Sequence, residues 1–144
     1  MSLARAAALI RLADGMGAGA VIFAGNSVDP YNGKCLRSSA GSIFSVPVLI
    51  ETSVPDVLAQ LRAVGLQILA TTLSGELSLD DAGDLLTAPT AWVFGSEAQG
   101  SSAELAALAD HRVLIPMAGG AESLNVAAAA AICLYQSARA QRNH

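Results

Sequence analysis

Five short apolar runs, each followed by a longer stretch of helical spacing or a turn, constrain this chain most. Ala20–Ala24, Val46–Ile50, Leu66–Ala70, Ala91–Phe94 and Arg112–Ile115 are nearly continuous apolar segments. Strands exposed on one face alternate apolar with polar; strands covered on both faces do not. Between the runs lie Leu3–Met16, Pro55–Val64 and Ser101–Leu108, with helical periodicity, and a last helix is expected from near Ser123 to about Arg139. This alternation predicts one α/β domain with a mostly parallel sheet flanked by helices. The polar, acidic stretch Gly75–Pro89 reads as a loop with a short helix.

Composition supports a packed single domain spanning 1–144. The chain has 144 residues, 53% hydrophobic and 14% charged, which excludes a disordered chain. The longest apolar run, Val126–Tyr135, is about half the ~20 residues of a membrane span. Arg5, Arg11 and Asp14 interrupt the first apolar stretch, as a signal peptide would not allow. Cys35 and Cys133 with His111 and His144 make neither a disulfide framework nor a zinc set, so a reducing cytoplasm and no metal are expected.

Net charge is −4 but unevenly spread. Residues 51–110 set Arg62 against nine carboxylates, a local −8, while residues 1–50 and 111–144 each carry +2. An anionic partner could approach the ends; a solvated acidic face needs no partner. The final helix is apolar on every face in its first three turns, which implies cover from the sheet and from a second subunit.

Glycine-rich turns follow two strands, where α/β folds place ligands. They are Gly95-Ser-Glu-Ala-Gln-Gly100 and Pro116-Met-Ala-Gly-Gly-Ala-Glu-Ser-Leu-Asn125. Neither has the GxxxxGK[ST] or GxGxxG spacing of a phosphate cradle. Gly15-Met-Gly17-Ala-Gly19 reads as a helix stop. Ser123 has a plain role as N-cap of the final helix, and Glu122 suits its positive end. Glu97 is either a surface carboxylate or a site residue. Arg11, among Leu9, Ile10 and Leu12, must snorkel, pair or touch a ligand.

Taken together, the IRLAD helix, GSEAQG, IPM and SLNVAAAAA in that order resemble the SpoU (TrmH-like) family of RNA ribose 2′-O-methyltransferases, in the SPOUT superfamily. That family's motifs are N-x-G-x-x-x-R entering a helix, G-x-E-x-x-G, and I-P-M followed by S-L-N-V-[SA]-x-A. Asp29–Pro47 also resembles a segment of its ribosomal-RNA members, and the likeness runs from about Ala8 to Tyr135. The resemblance implies a C-terminal trefoil knot, a homodimer, and S-adenosylmethionine held at Ala70, Thr71, Gly95, Ile115, Met117, Ser123 and Leu124, without a metal. It implies methyl transfer to a ribose 2′-hydroxyl, ribosomal RNA first and transfer RNA second. Arg11 would activate the hydroxyl, Ser123 and Asn125 would orient it and the loop, and Glu97 would hold the polar network.

The first motif departs from the family: Arg5 stands at the asparagine position and Ala7 at the glycine. No strand precedes it here, so the resemblance implies a catalytic domain that starts inside its first motif, without the N-terminal RNA-binding domain of larger members. A second reading is therefore a dimeric cofactor-binding fragment that transfers nothing. A third, a nucleotide-binding α/β protein outside the family, lacks its phosphate motifs.

Overall fold

A computed structural model of the chain describes residues 15–16, 21–24, 48–51, 54–94, 106–119 and 126–143. The chain divides into two compact units, Met1–Val57 and Leu58–His144. In the first, β1 (Val21–Ala24) pairs in parallel with β2 (Val48–Glu51), from Val21 opposite Val48 to Ala24 opposite Glu51. Both sit within a residue or two of the expected runs; β2 starts after Pro47, which has no N–H for a ladder. The expected helix Leu3–Met16 lies almost wholly outside the described residues, with Gly15 helical and Met16 in a turn.

Helix α1 (Val54–Ala63) begins at the end of the first unit. Asp56 lies in its first turn and Arg62 in its last, each favourable to the helix dipole. It stops where Gly65 adopts φ +95°, a conformation that costs glycine nothing. The Leu66 N–H then donates to Leu61 O at 3.1 Å and the Gly65 N–H to Arg62 O at 3.0 Å, the paired bonds of a Schellman end.

The second unit is built on four parallel strands: β3 (Gln67–Thr71), β4 (Leu77–Ser78), β5 (Thr90–Val93) and β6 (His111–Leu114), in the order β4-β6-β3-β5. The central strand is β3. Its Ile68, Leu69 and Ala70 are at most 3% exposed, as the continuous apolar run requires. Burying Ile68 and Leu69 contributes about 1.5–3 kcal/mol each.

The amino end of β3 is tied down by polar groups. Asp110 N–H donates to Ile68 O at 2.8 Å, and Ile68 N–H returns a bond to Asp110 Oδ2 at 2.7 Å. Arg62 Nε donates to Asp110 Oδ1 at 3.3 Å, and its Nη2 donates to Leu108 O. Gln67 Nε2 reaches Leu85 O at 2.8 Å and Thr90 Oγ1 at 2.7 Å, joining β3 to β5 beyond the ladder.

The stretch Gly75–Pro89 carries more core than its polarity suggests. It holds β4 and two single 3₁₀ turns, Leu79–Asp81 and Leu85–Thr87. Ser78 Oγ accepts from Asp80 N–H at 3.3 Å and caps the first. These turns drive Leu79, Ala82 and Leu86 into a cluster with Leu69, Val113 and Cys133.

Helix α2 (Val126–Arg142) packs across the second 3₁₀ turn and β5. Ala129, Ala130, Cys133 and Ser137 form its buried face. Trp92 Nε1 donates to Ser137 Oγ at 2.8 Å, so the one buried polar group on that face is satisfied. Trp92 stacks on Phe94 with centroids 6.2 Å apart. The other face shows Ile132 at 37% and Tyr135 at 47% exposure. Among the described residues, the buried positions of this helix lie on one side.

Cys133 is a free thiol with no exposed surface, and burial pushes its pKa up to about 12. A raised folded-state pKa means the neutral thiol is favoured in the fold. Its contribution to stability is intact below the ordinary thiol range, near 9, and is lost progressively as pH rises towards 12. Iodoacetamide at pH 8 is accordingly expected to leave Cys133 unmodified in the native chain and to modify it in guanidinium, by mass spectrometry of the peptide. Labelling at equal rates in both conditions would contradict this burial.

Candidate functional site

The parallel strands β3, β5 and β6 bring their carboxyl ends to one edge. Ala70 lies opposite Val93 of β5 and Thr71 opposite Val113 of β6. From β3 the chain first forms β4 at one end of the sheet, then crosses to the other side of β3 to form β5 and returns to form β6 between β4 and β3. Such a reversal opens a crevice beyond the strand ends, where α/β sheets bind ligands. The segments entering it are Thr71–Thr72, Phe94 and Ile115–Met117.

Four of the sequence-predicted site residues are described. Ala70 is buried, so it can offer a ligand only its backbone. Thr71, Ile115 and Met117 are half-buried, and Ile115 packs on the cluster beneath the edge. Ala70, Thr71 and Ile115 are brought together by the β3–β6 pairing, and Met117 follows two residues on. Arg11, Gly95, Glu97, Ser123, Leu124 and Asn125 lie outside the described residues.

Two residues that the motifs do not mark shape this edge. Thr72 follows β3, and its N–H donates to Val113 O at 3.0 Å. Its Oγ1 is buried and finds no hydrogen-bond partner among the described residues. Three residues on, Gly75 passes close to β6. A Cβ there would lie 2.6 Å from Leu114 N, 2.7 Å from Val113 C and 2.9 Å from Arg112 O. All three are backbone atoms. The signal in the sequence was only a second threonine and a lone glycine after a strand.

Beside Gly75, Glu76 accepts from Arg112 Nη2 at 2.6 Å and from the Arg112 N–H at 3.3 Å, with His111 Nδ1 3.9 Å away. The Arg112 backbone bond, and then its guanidinium, hold the Glu76 carboxyl below its usual range. Arg112 also donates through Nη1 to Ala106 O at 2.9 Å and Ala109 O at 3.0 Å, closing the helical end at 106–108. This network ties the β3–β4 loop at Glu76 to Arg112 of β6.

The donor set matters for the ligand class. Among the described residues no three His, Cys, Asp or Glu side chains gather where they could hold a metal ion. No described helix is long and apolar enough to cross a membrane. The described residues at this edge, Ala70, Thr71, Thr72, Phe94, Ile115 and Met117, are apolar apart from two threonines, one with an unmatched hydroxyl, a set that suits a partly polar organic ligand.

Comparison with known proteins agrees with this geometry. The SpoU rRNA Methylase family model matches residues 6–135. A 23S rRNA (uridine(2479)-2′-O)-methyltransferase of Streptomyces viridochromogenes is 40% identical over 136 residues, spanning 91% of this chain and 47% of the relative. The tRNA (guanosine(18)-2′-O)-methyltransferase of Escherichia coli K12 is 38% identical, spanning 94% of this chain and 58% of the relative. The crystal structure of the S. viridochromogenes SpoU methyltransferase AviRb in complex with AdoMet superposes with a TM-score of 0.88 at 36% identity, covering 100% of this chain and 58% of that one. The chain thus spans about half the length of the curated relatives it matches. With a family model covering nearly its whole length and an α/β fold shared with solved members, the chain belongs to the SpoU rRNA Methylase family.

Proposed function

We propose that this chain is the catalytic domain of an S-adenosylmethionine-dependent methyltransferase acting on a ribose 2′-hydroxyl of RNA, ribosomal RNA first and transfer RNA second. The observation that carries the reading is the convergence of Thr71–Thr72 and Ile115–Met117 at one sheet edge, in a chain of this family. Relatives named for both ribosomal and transfer RNA support the substrate class.

S-adenosylmethionine supplies, when bound, a methyl group on a sulfonium centre. The chain's own residues do the rest. Ala70, Thr71, Gly95, Ile115, Met117, Ser123 and Leu124 hold the cofactor, largely through backbone groups of tight loops. A ribose hydroxyl is a weak nucleophile until its proton is drawn away. Arg11, always protonated, positions the RNA and stabilises the developing charge rather than acting as a free base. Ser123 and Asn125 orient the hydroxyl and the loop, and Glu97 holds the polar network. The C-terminal part of the chain is tucked through a loop as a trefoil knot. The exposed Ile132 and Tyr135 face of α2 is covered by a second copy, giving a homodimer. No metal takes part, and the setting is the cytoplasm.

The second reading is a dimeric fragment that binds the cofactor and transfers nothing, and Arg5 at the asparagine position favours it. Calorimetry with S-adenosylhomocysteine, with light scattering in the same buffer, tests what both readings share. A dimer binding in the micromolar range is expected. A folded chain that takes up none would overturn both.

A further inference from the structure

Thr72 is the one described side chain whose buried polar atom goes unpaired. Other hydroxyls of the same unit are paired. Thr87 Oγ1 donates to Asp84 O at 2.7 Å, Thr90 Oγ1 to Ala88 O at 2.9 Å, and Ser137 Oγ accepts from Trp92 Nε1. A buried hydroxyl without a partner is a standing cost, and a valine of nearly the same shape would avoid it. The cost is offset only where something else supplies the partner.

The backbone leaves the hydroxyl little freedom to find one by moving. Thr72 N–H is bonded to Val113 O, Gly75 lies against the β6 backbone, and Glu76 is paired with Arg112. The loop is therefore pinned at Thr72 and again at 75–76. The hydroxyl stands immediately after Thr71, at the carboxyl edge where β3 and β6 end.

We infer that Thr72 is a cofactor-binding residue, its hydroxyl held in reserve for a polar group of the bound S-adenosyl compound. The inference rests on the methyltransferase reading and adds a residue that none of the family motifs marks. A hydroxyl can donate or accept, so it suits either kind of polar atom on such a ligand.

Two variants of the full chain, Thr72→Val and Thr72→Ser, separate a ligand contact from a structural one. S-adenosylhomocysteine affinity is read by calorimetry and stability by melting the unliganded chain. Thr72→Val is expected to bind about tenfold more weakly, ~1.4 kcal/mol. Its unliganded melting temperature should equal or exceed that of the starting chain. Thr72→Ser should keep most of the affinity, because the hydroxyl remains. Equal binding by Thr72→Val overturns the inference, and so does a lower unliganded melting temperature, which would reveal a structural partner. A starting chain that binds no S-adenosylhomocysteine overturns the methyltransferase reading itself, an outcome distinct from a chain that binds and is indifferent to Thr72.

Discussion

Gly75→Val lowers the melting temperature by about 10 °C, the equivalent of ~3 kcal/mol for a chain of this size. The reason is local and geometric. Even the first carbon of any side chain at this position would sit 2.6–2.9 Å from three backbone atoms of β6. A flexible side chain could yield; a strand backbone in the middle of a ladder cannot. Thr71 pairs with Val113 on one side of the contact, and Leu77 pairs with Val113 on the other. The loop must therefore lift, and β4 with it, breaking the Leu77–Val113 and Ser78–Leu114 pairing and stretching the 2.6 Å bond from Arg112 to Glu76. The lifted loop would also carry Thr72 away from the proposed cofactor edge. The same variant is thus expected to bind S-adenosylhomocysteine more weakly at temperatures where it remains folded. Melting by circular dichroism checks the first effect and calorimetry the second. A Gly75→Val chain that melts with the starting protein would show that the close approach to β6 does not exist.

The largest effect on activity is expected at Asn125. Asn125→Ala should reduce methyl transfer to RNA by about a hundredfold or more, because a positioned polar group at the reacting centre acts mainly in the transition state. Cofactor affinity and melting temperature should stay close to those of the starting chain, since the role proposed for the residue lies with the ribose hydroxyl and not with the fold. Arg11→Ala should lower transfer to a similar degree, with its deficit also visible as weaker RNA binding, because a guanidinium that meets the backbone phosphate contributes to both. Labelled S-adenosylmethionine and deproteinised RNA provide the assay. Full activity in Asn125→Ala would remove that residue from the site.

How far the sequence discloses this protein depends on which residues are asked. The runs around Ile68–Leu69 and Val113 are legible because a parallel strand covered on both faces has to be apolar throughout. Their boundaries shift by a residue because hydrogen bonding, not hydropathy, ends a strand. The order β4-β6-β3-β5 is not legible, since nothing in the composition says that β6 returns to the far side of β3. Leu79 and Leu86 were hidden for another reason. They enter the core from single 3₁₀ turns among acidic residues, too short to establish any period. The final helix was legible as apolar all round, yet its sides differ: Cys133 is fully buried while Ile132 beside it is over one-third exposed.

The site divides in the same way. The family resemblance singles out Ala70, Thr71, Ile115 and Met117, and the β3–β6 register brings Ala70, Thr71 and Ile115 to one edge. Arg11, Gly95, Glu97, Ser123, Leu124 and Asn125 stand on the resemblance of their motifs. Thr72 and Gly75 carry no motif. What distinguishes them is an unpaired hydroxyl and a near collision with backbone, both properties of the folded chain alone.

The central claim is methyl transfer to a ribose hydroxyl, and nucleoside analysis tests it most directly. The chain would be incubated with S-adenosylmethionine carrying a labelled methyl group and with unmodified ribosomal or transfer RNA, and the RNA then digested and separated by liquid chromatography with mass detection. The account predicts label in a 2′-O-methylnucleoside. Label on a base, or a folded dimer that binds S-adenosylhomocysteine and labels neither RNA, would contradict it.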